Sequence, residues 1–426
     1  MTVLVIGLAV SGKAALELLR EQGERVVAYD RRPEATVGID ADEVYTGDWD
    51  PSFLGGVDLV VPSPGVPETS QVMADVLSSG VPVWSELELG YRRLGGIPLA
   101  AITGTNGKTT VTELAAAMLV ESGVDAAAVG NIGDPITGRG VTDHDVLVVE
   151  ASSFQLRFID SFRPSAAVIV NFAPDHLDWH SDVAAYGAAK SRIFEHMEDD
   201  DLLVFDAADP GAAGLVASAV ARRVGVTGHE RHGGSGPEGS TMYLAGATVS
   251  LDDLKRTDSV MLVDLAAAAE TARALGATAE GIAAAAVAYQ PGRHRREVVA
   301  RVGGVTFIDD SKATNPHAAL AAIGAYPSVV LIAGGRAKGL DIRPLARADS
   351  VRGLVAIGES AEELLSERRD AVGAATMGEA VDRAISLSDP GDVVLLAPGC
   401  ASFDMFDSYG HRGDVFAAAV REKVGA

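Results

Sequence analysis

The stretch Leu99-Ala-Ala-Ile-Thr-Gly-Thr-Asn-Gly-Lys-Thr-Thr-Val-Thr-Glu113 constrains this chain more than any other. A short apolar run, Leu99 to Ile102, enters a turn with two glycines, Gly104 and Gly107. Lys108, Thr109 and Thr110 follow directly, before a helix-forming segment from Glu113 to Leu119. Strand, glycine turn and helix in that order make a cradle for phosphate: glycines let the backbone approach, and N–H groups at the helix N-terminus point at negative charge. In such loops a lysine reaches the β/γ-phosphates and the first hydroxyl ligates Mg²⁺. The loop is shorter than the common G-x-x-x-x-G-K-[ST] form, because Ile102 stands where its first glycine would be. A plain structural turn is the alternative; the placement between strand and helix favours nucleotide binding.

Around this loop the chain has room for several α/β domains, with 426 residues, 47% hydrophobic content and 47 glycines. A net charge of −24 argues against nucleic acid or an anionic membrane as the main partner. One cysteine, Cys400, excludes an intramolecular disulfide and suits a reducing compartment. The first residues lack the basic region of a signal peptide, and no apolar run reaches membrane-helix length, so a cytoplasmic protein is expected. Only seven of the 35 basic residues are lysine. Four of these, Lys108, Lys190, Lys312 and Lys338, fall in motif-like surroundings, where a lysine can do chemistry that arginine cannot.

Read in order, Thr2 to Ile6 is a buried strand, Gly7-Leu-Ala-Val-Ser-Gly12 a turn, Lys13 to Gln22 a helix and Arg25 to Tyr29 a second strand ending on Asp30. That is half of a dinucleotide-binding unit, but Ala9 stands at its second glycine, so NAD binding is disfavoured against another nucleotide use. Ser63-Pro-Gly-Val-Pro67 follows a strand from Val57 to Val61 and reads as a binding loop or a rigid turn. Past Gly95-Gly96, strand Asp145 to Val149 delivers Glu150, and strand Ala166 to Val170 delivers Asp175, His176, Asp178 and His180. Glu150 is an acid where a Mg²⁺ partner belongs, or a solvated strand end. His176 beside two acids reads as a metal ligand or a group that orients one. His176 and His180 share a face only if their segment is helical. A helix from Tyr186 to Glu195 carries Lys190; Gly225 to Ser240 is expected to be a loop; Ala266 to Leu275 and Ala279 to Tyr289 are alanine-dense helices.

Gln290-Pro-Gly292 has the composition of a hinge. After it, strand ends carry Asp310 and Lys312, then Lys338 in a second glycine loop, then Ser402; all should lie on one edge of a parallel sheet. The fold class is therefore α/β in three tandem domains: a Rossmann-like N-terminal domain, a central P-loop ATPase-like domain and a Rossmann-like C-terminal domain. Expected boundaries are 1–95, 96–290 and 291–426.

Taken together, Gly104-Thr-Asn-Gly-Lys-Thr-Thr110, Glu150-Ala-Ser-Ser-Phe-Gln-Leu156, Asp175-His-Leu-Asp178, Lys190 in Ala188-Ala-Lys-Ser-Arg192, His294-Arg295 and Asp310-Ser-Lys-Ala-Thr-Asn315 resemble the ATP-dependent Mur ligases of peptidoglycan synthesis. With Ser402-Phe-Asp-Met-Phe406 and Arg412-Gly413, the pattern is similar to the D-glutamate-adding branch of that family. The resemblance spans nearly the whole chain. It implies that ATP phosphorylates the terminal carboxylate of UDP-N-acetylmuramoyl-L-alanine and that D-glutamate attacks the acyl phosphate.

The resemblance also implies a role for each of these residues. Gly104, Thr105, Asn106, Gly107, Lys108, Thr109 and Thr110 bind ATP, with Arg295 and Asp310 from the last domain. Lys108, His176, Lys190 and Lys312 are catalytic. Two Mg²⁺ ions are implied, with Thr109, Glu150, His176 and Lys190 as ligands, Lys190 as a CO₂-derived carbamate. Val10, Ser11, Asp30, Arg31, Arg32, Ser63, Gly65 and Asn131 hold UDP-muramoyl-alanine. Thr314, Lys338, Ser402, Phe403 and Tyr409 hold D-glutamate, Tyr409 standing where the family more often has phenylalanine. No nucleic acid partner and no membrane insertion are expected, and the chain is expected to be a monomer. The family's adenine-contacting His-Asn-x-x-Asn is replaced by Ser259-Val-Met-Leu-Val-Asp264, where only Asp264 could stand for the second asparagine. A diamino-acid ligase should carry an Asn-Pro-Arg-type motif, which is absent; a folylpolyglutamate synthase should lack the N-terminal half. A non-catalytic nucleotide-binding protein would be expected to have lost one of Lys108, Glu150, His176 and Lys190.

Overall fold

A computed structural model describes residues 1–231 and 233–425. His232, within the segment expected to be a loop, and Ala426, the end of the expected third domain, lie outside the described residues. The chain forms two compact units: Met1–Ala173 with Trp179–Tyr289, and Pro174–Asp178 with Gln290–Ala426. None of the described helices is long and apolar enough to cross a membrane.

The first unit opens with β1 (Thr2–Ile6), β2 (Arg25–Asp30), β3 (Glu43–Thr46) and β4 (Leu59–Pro62), a parallel sheet in the order β3-β2-β1-β4. Val3, Leu4, Val5 and Ile6 are buried without alternation, as a strand covered on both faces requires. Six further parallel strands follow: β5 (Leu99–Thr103), β6 (Ala126–Gly130), β7 (Val146–Glu150), β8 (Ala166–Ile169), β9 (Leu202–Asp206) and β10 (Arg222–Val226), ordered β10-β9-β8-β5-β7-β6. β5 pairs with β7 on one side and β8 on the other, so the strand order reverses at β5. The crevice beyond its C-terminal end is where ligands of such sheets bind.

Helices Lys108–Glu121 and Ser259–Ala274 pack together over this sheet. Ala266, Ala267, Ala268 and Ala269 are all buried, small side chains that let the helices approach closely. The second helix starts seven residues before the expected Ala266, because Asp258 caps it through the Met261 N–H. Segment 225–240, expected to be a loop, is strand at both ends. It finishes β10, and β11 (Gly236–Glu238) joins β12 (Thr241–Leu244) and β13 (Ala247–Ser250) in a small antiparallel sheet. The apolar side of that sheet comes from Met242, Leu244, Ala247 and Val249, beyond the glycine-rich stretch, so 225–240 alone shows no strand pattern.

Although residues 1–95 and 96–290 carry separate sheets, helix Glu86–Arg93 fastens them together. Glu88 is fully buried and accepts hydrogen bonds from the N–H groups of Asp160 (2.9 Å), Ser161 (3.1 Å) and Phe162 (3.0 Å), the Ser161 hydroxyl (2.7 Å) and Arg92 Nε (2.6 Å). Burial alone would push its carboxyl up; these donors outweigh burial and hold it below the ordinary glutamate value. Glu86, also buried, accepts from the Thr137 N–H and hydroxyl and from Gln155 Nε2.

In the second unit β14 (Glu297–Val302), β15 (Val305–Asp309), β16 (Val329–Gly334), β17 (Val351–Ile357), β18 (Val372–Ala374) and β19 (Val393–Leu396) lie in the order β14-β15-β19-β16-β17-β18. All pairs are parallel except β14 with β15, a hairpin turned by Gly303 and Gly304 at φ 62° and 82°. A two-residue turn leaves no length for the helical crossover that a parallel neighbour needs, so these two strands pair antiparallel.

In Glu88→Gln one of the two acceptor oxygens becomes an NH2 group, so part of this donor set loses its partner. Glu88→Gln is expected to lower unfolding free energy by about 2 kcal/mol at pH 7. Because the folded pKa is depressed, that contribution is present above the unfolded glutamate pKa and lost as pH falls through the folded one. Denaturant titrations should show the wild-type advantage over Glu88→Gln shrinking below about pH 4.5. A gap independent of pH would contradict the assignment.

Candidate functional site

The first cluster grows from the end of β5. Gly107 has φ 83°, and a Cβ there would stand 2.6 Å from Asp264 Oδ1 and 2.9 Å from Val170 Cγ1, so only glycine fits the turn that starts helix Lys108–Glu121. Thr105 and Asn106 are tied to the loop after β8: Thr105 N–H donates to the Asn171 carbonyl (3.1 Å) and Asn106 N–H to Asn171 Oδ1 (2.9 Å). Lys108 Nζ donates to the carbonyls of Gly104 (2.9 Å) and Thr105 (3.1 Å). Lys190, 1% exposed, reaches the same Gly104 oxygen at 2.7 Å, its ammonium 4.6 Å from the Tyr186 ring centroid. Tyr186 stands one helical turn before Lys190, an aromatic–lysine spacing visible in the sequence but not read there as a contact.

Glu150 ends β7 and is buried. Thr109 Oγ1 donates to its Oε2 and Asn131 Nδ2 to its Oε1, each at 2.8 Å. Hydroxyl, carboxylate and amide oxygens at a helix N-terminus are the hard donors that suit Mg²⁺, so Thr109 and Glu150 fit such an ion. Thr110 is buried in the helix. His180 is fully buried, its Nε2 2.9 Å from Ser153 Oγ and its ring packed on Phe154, Trp179 and Tyr186. His176 belongs to the other unit, and their segment is not helical, so the two histidines share no helix face.

A second group lies at the C-terminal ends of β1, β2 and β4. Asp30 accepts from the Leu8 N–H (2.8 Å) and from Arg32 through its N–H (2.9 Å), Nε (3.2 Å) and Nη2 (3.1 Å). Against the upward push of burial, these bonds hold the Asp30 carboxyl below its ordinary value. Its oxygens hold the turn and orient Arg32. Val10 and Ser11 open the helix after β1, with Val10 71% exposed. Arg31 is exposed, Ser63 is buried beside Gly7, and Gly65 follows it in the loop after β4.

In the second unit β15, β19 and β16 are consecutive parallel neighbours, which brings Lys312, Ser402 and Lys338 to one edge. Arg412, 1% exposed, ties two of these loops: Nε and Nη2 donate to Ser311 Oγ and O (each 2.9 Å), and Nη1 to the Cys400 carbonyl (3.0 Å). Burial lowers its pKa to about 10. Lys312 Nζ stacks 3.9 Å from the Tyr409 ring centroid. Lys338 Nζ donates to Asp175 Oδ1 at 2.8 Å. Ser402 is buried, its carbonyl accepting the Phe406 N–H (2.8 Å), while Phe403 is 67% exposed and Thr314 half-buried. Arg295 is half-buried; the next residue, Arg296, donates its N–H to Asp310 Oδ1 (3.1 Å).

Among the described residues, His294, Glu297 and Asp309 form the one group of three His, Cys, Asp or Glu ligand atoms within 4.8 Å of one another. It differs from the expected set around Glu150 and His176. His294 Nδ1 lies 2.7 Å from Asp309 Oδ2, and a Cβ on Gly413 would come within 2.2 Å of that nitrogen. The space between them is filled by the hydrogen bond and the glycine backbone.

Gly107→Ala is expected to reduce ATP affinity at least about tenfold by calorimetry, since a Cβ at positive φ distorts the loop. Unchanged affinity would show that the turn does not shape the nucleotide site.

Three family models cover most of the chain: "Mur ligase MurD-like, N-terminal domain" over 1–85, "Mur ligase middle domain" over 102–238 and "Mur ligase, glutamate ligase domain" over 294–400. A UDP-N-acetylmuramoylalanine–D-glutamate ligase of Frankia casuarinae is 41% identical, covering 100% of this chain and 95% of that protein. One of Myxococcus xanthus is 40% identical over 97% and 96%. Among solved structures, a pseudomurein peptide ligase type C from Methanothermus fervidus superposes with a TM-score of 0.63 at 18% identity, covering 99% of each chain. A UDP-N-acetylmuramate–alanine ligase of Thermotoga maritima gives 0.59 at 17%, over 99% and 100%. These two establish the likeness of fold alone. With its N-terminal, middle and C-terminal domains all matched and its full-length relatives near 40% identity, the chain belongs to the Mur ligase family.

Proposed function

We infer that this chain is an ATP-dependent ligase that joins D-glutamate to UDP-N-acetylmuramoyl-L-alanine in peptidoglycan precursor synthesis. The observation that carries the reading is the clustering of Lys108, Lys190, Thr109 and Glu150 around one glycine loop in a Mur-family chain. The names of its full-length relatives support the choice of D-glutamate. In the proposed division of labour residues 1–95 hold the UDP moiety through Val10, Ser11, Asp30, Arg31, Arg32, Ser63 and Gly65. Residues 96–290 hold ATP, and 291–426 the amino acid through Thr314, Lys338, Ser402, Phe403 and Tyr409.

A carboxylate oxygen of the UDP-linked substrate attacks the γ-phosphorus of ATP, and ADP departs. Lys108, whose ammonium sits on the Gly104 and Thr105 carbonyls of the loop, balances charge that moves toward the departing oxygen. Asn131 donates from beside Glu150 toward the muramoyl substrate. The D-glutamate amine then attacks the acyl carbon; the C–O bond to phosphate breaks, the amide forms, and the amine proton is released. Lys312, presented on the Tyr409 ring, offers its ammonium to the developing negative charge. Mg²⁺ ions, for which Thr109 and Glu150 are suited and to which the family resemblance adds His176, would neutralise the phosphates and the substrate carboxylate. Lys190 is proposed to carry a carbamate. Its one retained N–H would still serve the Gly104 carbonyl, and its new oxygens would add negative charge for a metal ion. We assign the reaction to the cytoplasm, where ATP and UDP-linked precursors are found, and to a monomer.

Phosphate release is expected only when D-glutamate and UDP-N-acetylmuramoyl-L-alanine are both supplied; turnover with a diamino acid in place of D-glutamate would contradict the substrate assignment. Lys190→Ala is expected to lose about a hundredfold in kcat and to recover part of it with added formate or acetate. A fully active variant would remove the carbamate from the mechanism.

A further inference from the structure

Asp175 has a place in the second unit that the reaction above does not use. Its Oδ1 accepts from Lys338 Nζ and from the His176 N–H, each at 2.8 Å, and its Oδ2 accepts from Asn315 Nδ2 at 2.8 Å. The Asp175 side chain is 4% exposed and that of Lys338 13%. Asn315 is itself held in one orientation, because its Oδ1 caps helix Pro316–Ile323 by accepting the Ala318 N–H (2.9 Å). Lys338 sits at φ 54°, a conformation that its neighbours must impose.

The two partners come from different loops. Asn315 ends the segment after β15 that carries Lys312 and Thr314; Lys338 lies in the glycine loop after β16. These strands are not neighbours, since β19 lies between them. The sheet ladder therefore fixes the spacing of the strands but not of the two loops that overhang it. Asp175 spans that gap with one carboxylate, a bond to each side. An ammonium has three N–H groups, and Asp175 takes one, so Lys338 is oriented while two donors stay available for a ligand. A long, flexible lysine loses rotamer freedom when it binds a carboxylate; here that loss is met before the substrate arrives.

We propose that Asp175 is a positioning residue for the amino-acid substrate, clamping Lys338 and the Lys312–Asn315 loop at the separation that receives the carboxylates of the incoming amino acid. The proposal rests on the reading that Lys338 and Thr314 bind D-glutamate.

The test is steady-state phosphate release by the full chain, with D-glutamate varied at saturating ATP, Mg²⁺ and UDP-N-acetylmuramoyl-L-alanine. Wild type, Asp175→Asn, Lys338→Ala and the double variant are compared. Asp175→Asn is expected to raise the KM for D-glutamate tenfold or more, with the KM for ATP and the Mg²⁺ activation midpoint within twofold of wild type. The double variant should be less impaired than the product of the two single effects, because Asp175 acts in part through that lysine. An unchanged KM for D-glutamate, equal rises in the KM for D-glutamate and the KM for ATP, a shifted Mg²⁺ midpoint, or effects that multiply in the double variant would each overturn the proposal. If Asp175→Asn does not fold, Asn315→Ser takes its place, since serine keeps the helix cap and replaces the amide that reaches Asp175 with a shorter hydroxyl. A raised KM for D-glutamate in that variant supports the clamp and an unchanged one overturns it. A wild type that fails to turn over D-glutamate is a failure of the proposed function; a wild type active with D-glutamate whose variants keep its KM is a failure of this inference alone.

Discussion

Two ammonium groups meet on one carbonyl oxygen: Lys108 and Lys190 both donate to Gly104. As two ammonium groups they repel each other; the carbamate proposed for Lys190 would relieve that repulsion, keep one N–H on Gly104 and leave Lys108 as the cation at a helix N-terminus that is to hold an anion. Much of the first unit serves this arrangement. The reversal of strand order at β5 opens the crevice, Asn171 braces the loop from β8, and β7 delivers Glu150 beside Thr109. The alanine-rich helices give the loop a rigid floor, with Asp264 pressed against Gly107.

The second unit repeats the strategy with different bonds. Strand ends of a mostly parallel sheet offer polar loops on one edge, and buried charged groups hold those loops: Arg412 between Ser311 and Cys400, Asp175 between Lys338 and Asn315. Buried ions are costly in general and are retained where every bond is satisfied. Both sets of bonds end, in the loop after β15, next to a residue assigned to the reaction: Lys312 beside Ser311 and Thr314 beside Asn315. Precision of the loops is what these buried groups contribute.

The sequence makes the strand–helix alternation legible because buried parallel strands are written as unbroken apolar runs, as in Thr2–Ile6 and Val329–Ile332. The phosphate loop, Glu150 at a strand end, and the shared edge of Lys312, Lys338 and Ser402 follow from the same local patterns. What it conceals is pairing between distant segments. The strand Gly236–Glu238 takes its meaning from partners beyond the glycine-rich stretch. Nothing local to Glu86 and Glu88 marks them as buried, yet both are held by backbone donors more than 50 residues away. Asp175 reads as one acid beside a histidine until Lys338, 163 residues on, is seen to grip it. The junction near 95 shows the same limit: two glycines suggest a joint, while buried carboxylates fasten the domains on either side.

The central claim is that this chain activates a carboxylate by transferring the γ-phosphoryl group of ATP to it. The most direct measurement uses UDP-N-acetylmuramoyl-L-alanine with both oxygens of its terminal carboxylate replaced by ¹⁸O, turned over with ATP and D-glutamate, and mass analysis of the phosphate released. An acyl phosphate intermediate hands its bridging oxygen to phosphate when the amine attacks, so one ¹⁸O per phosphate is predicted. Unlabelled phosphate, or release of AMP and pyrophosphate in place of ADP, would contradict it.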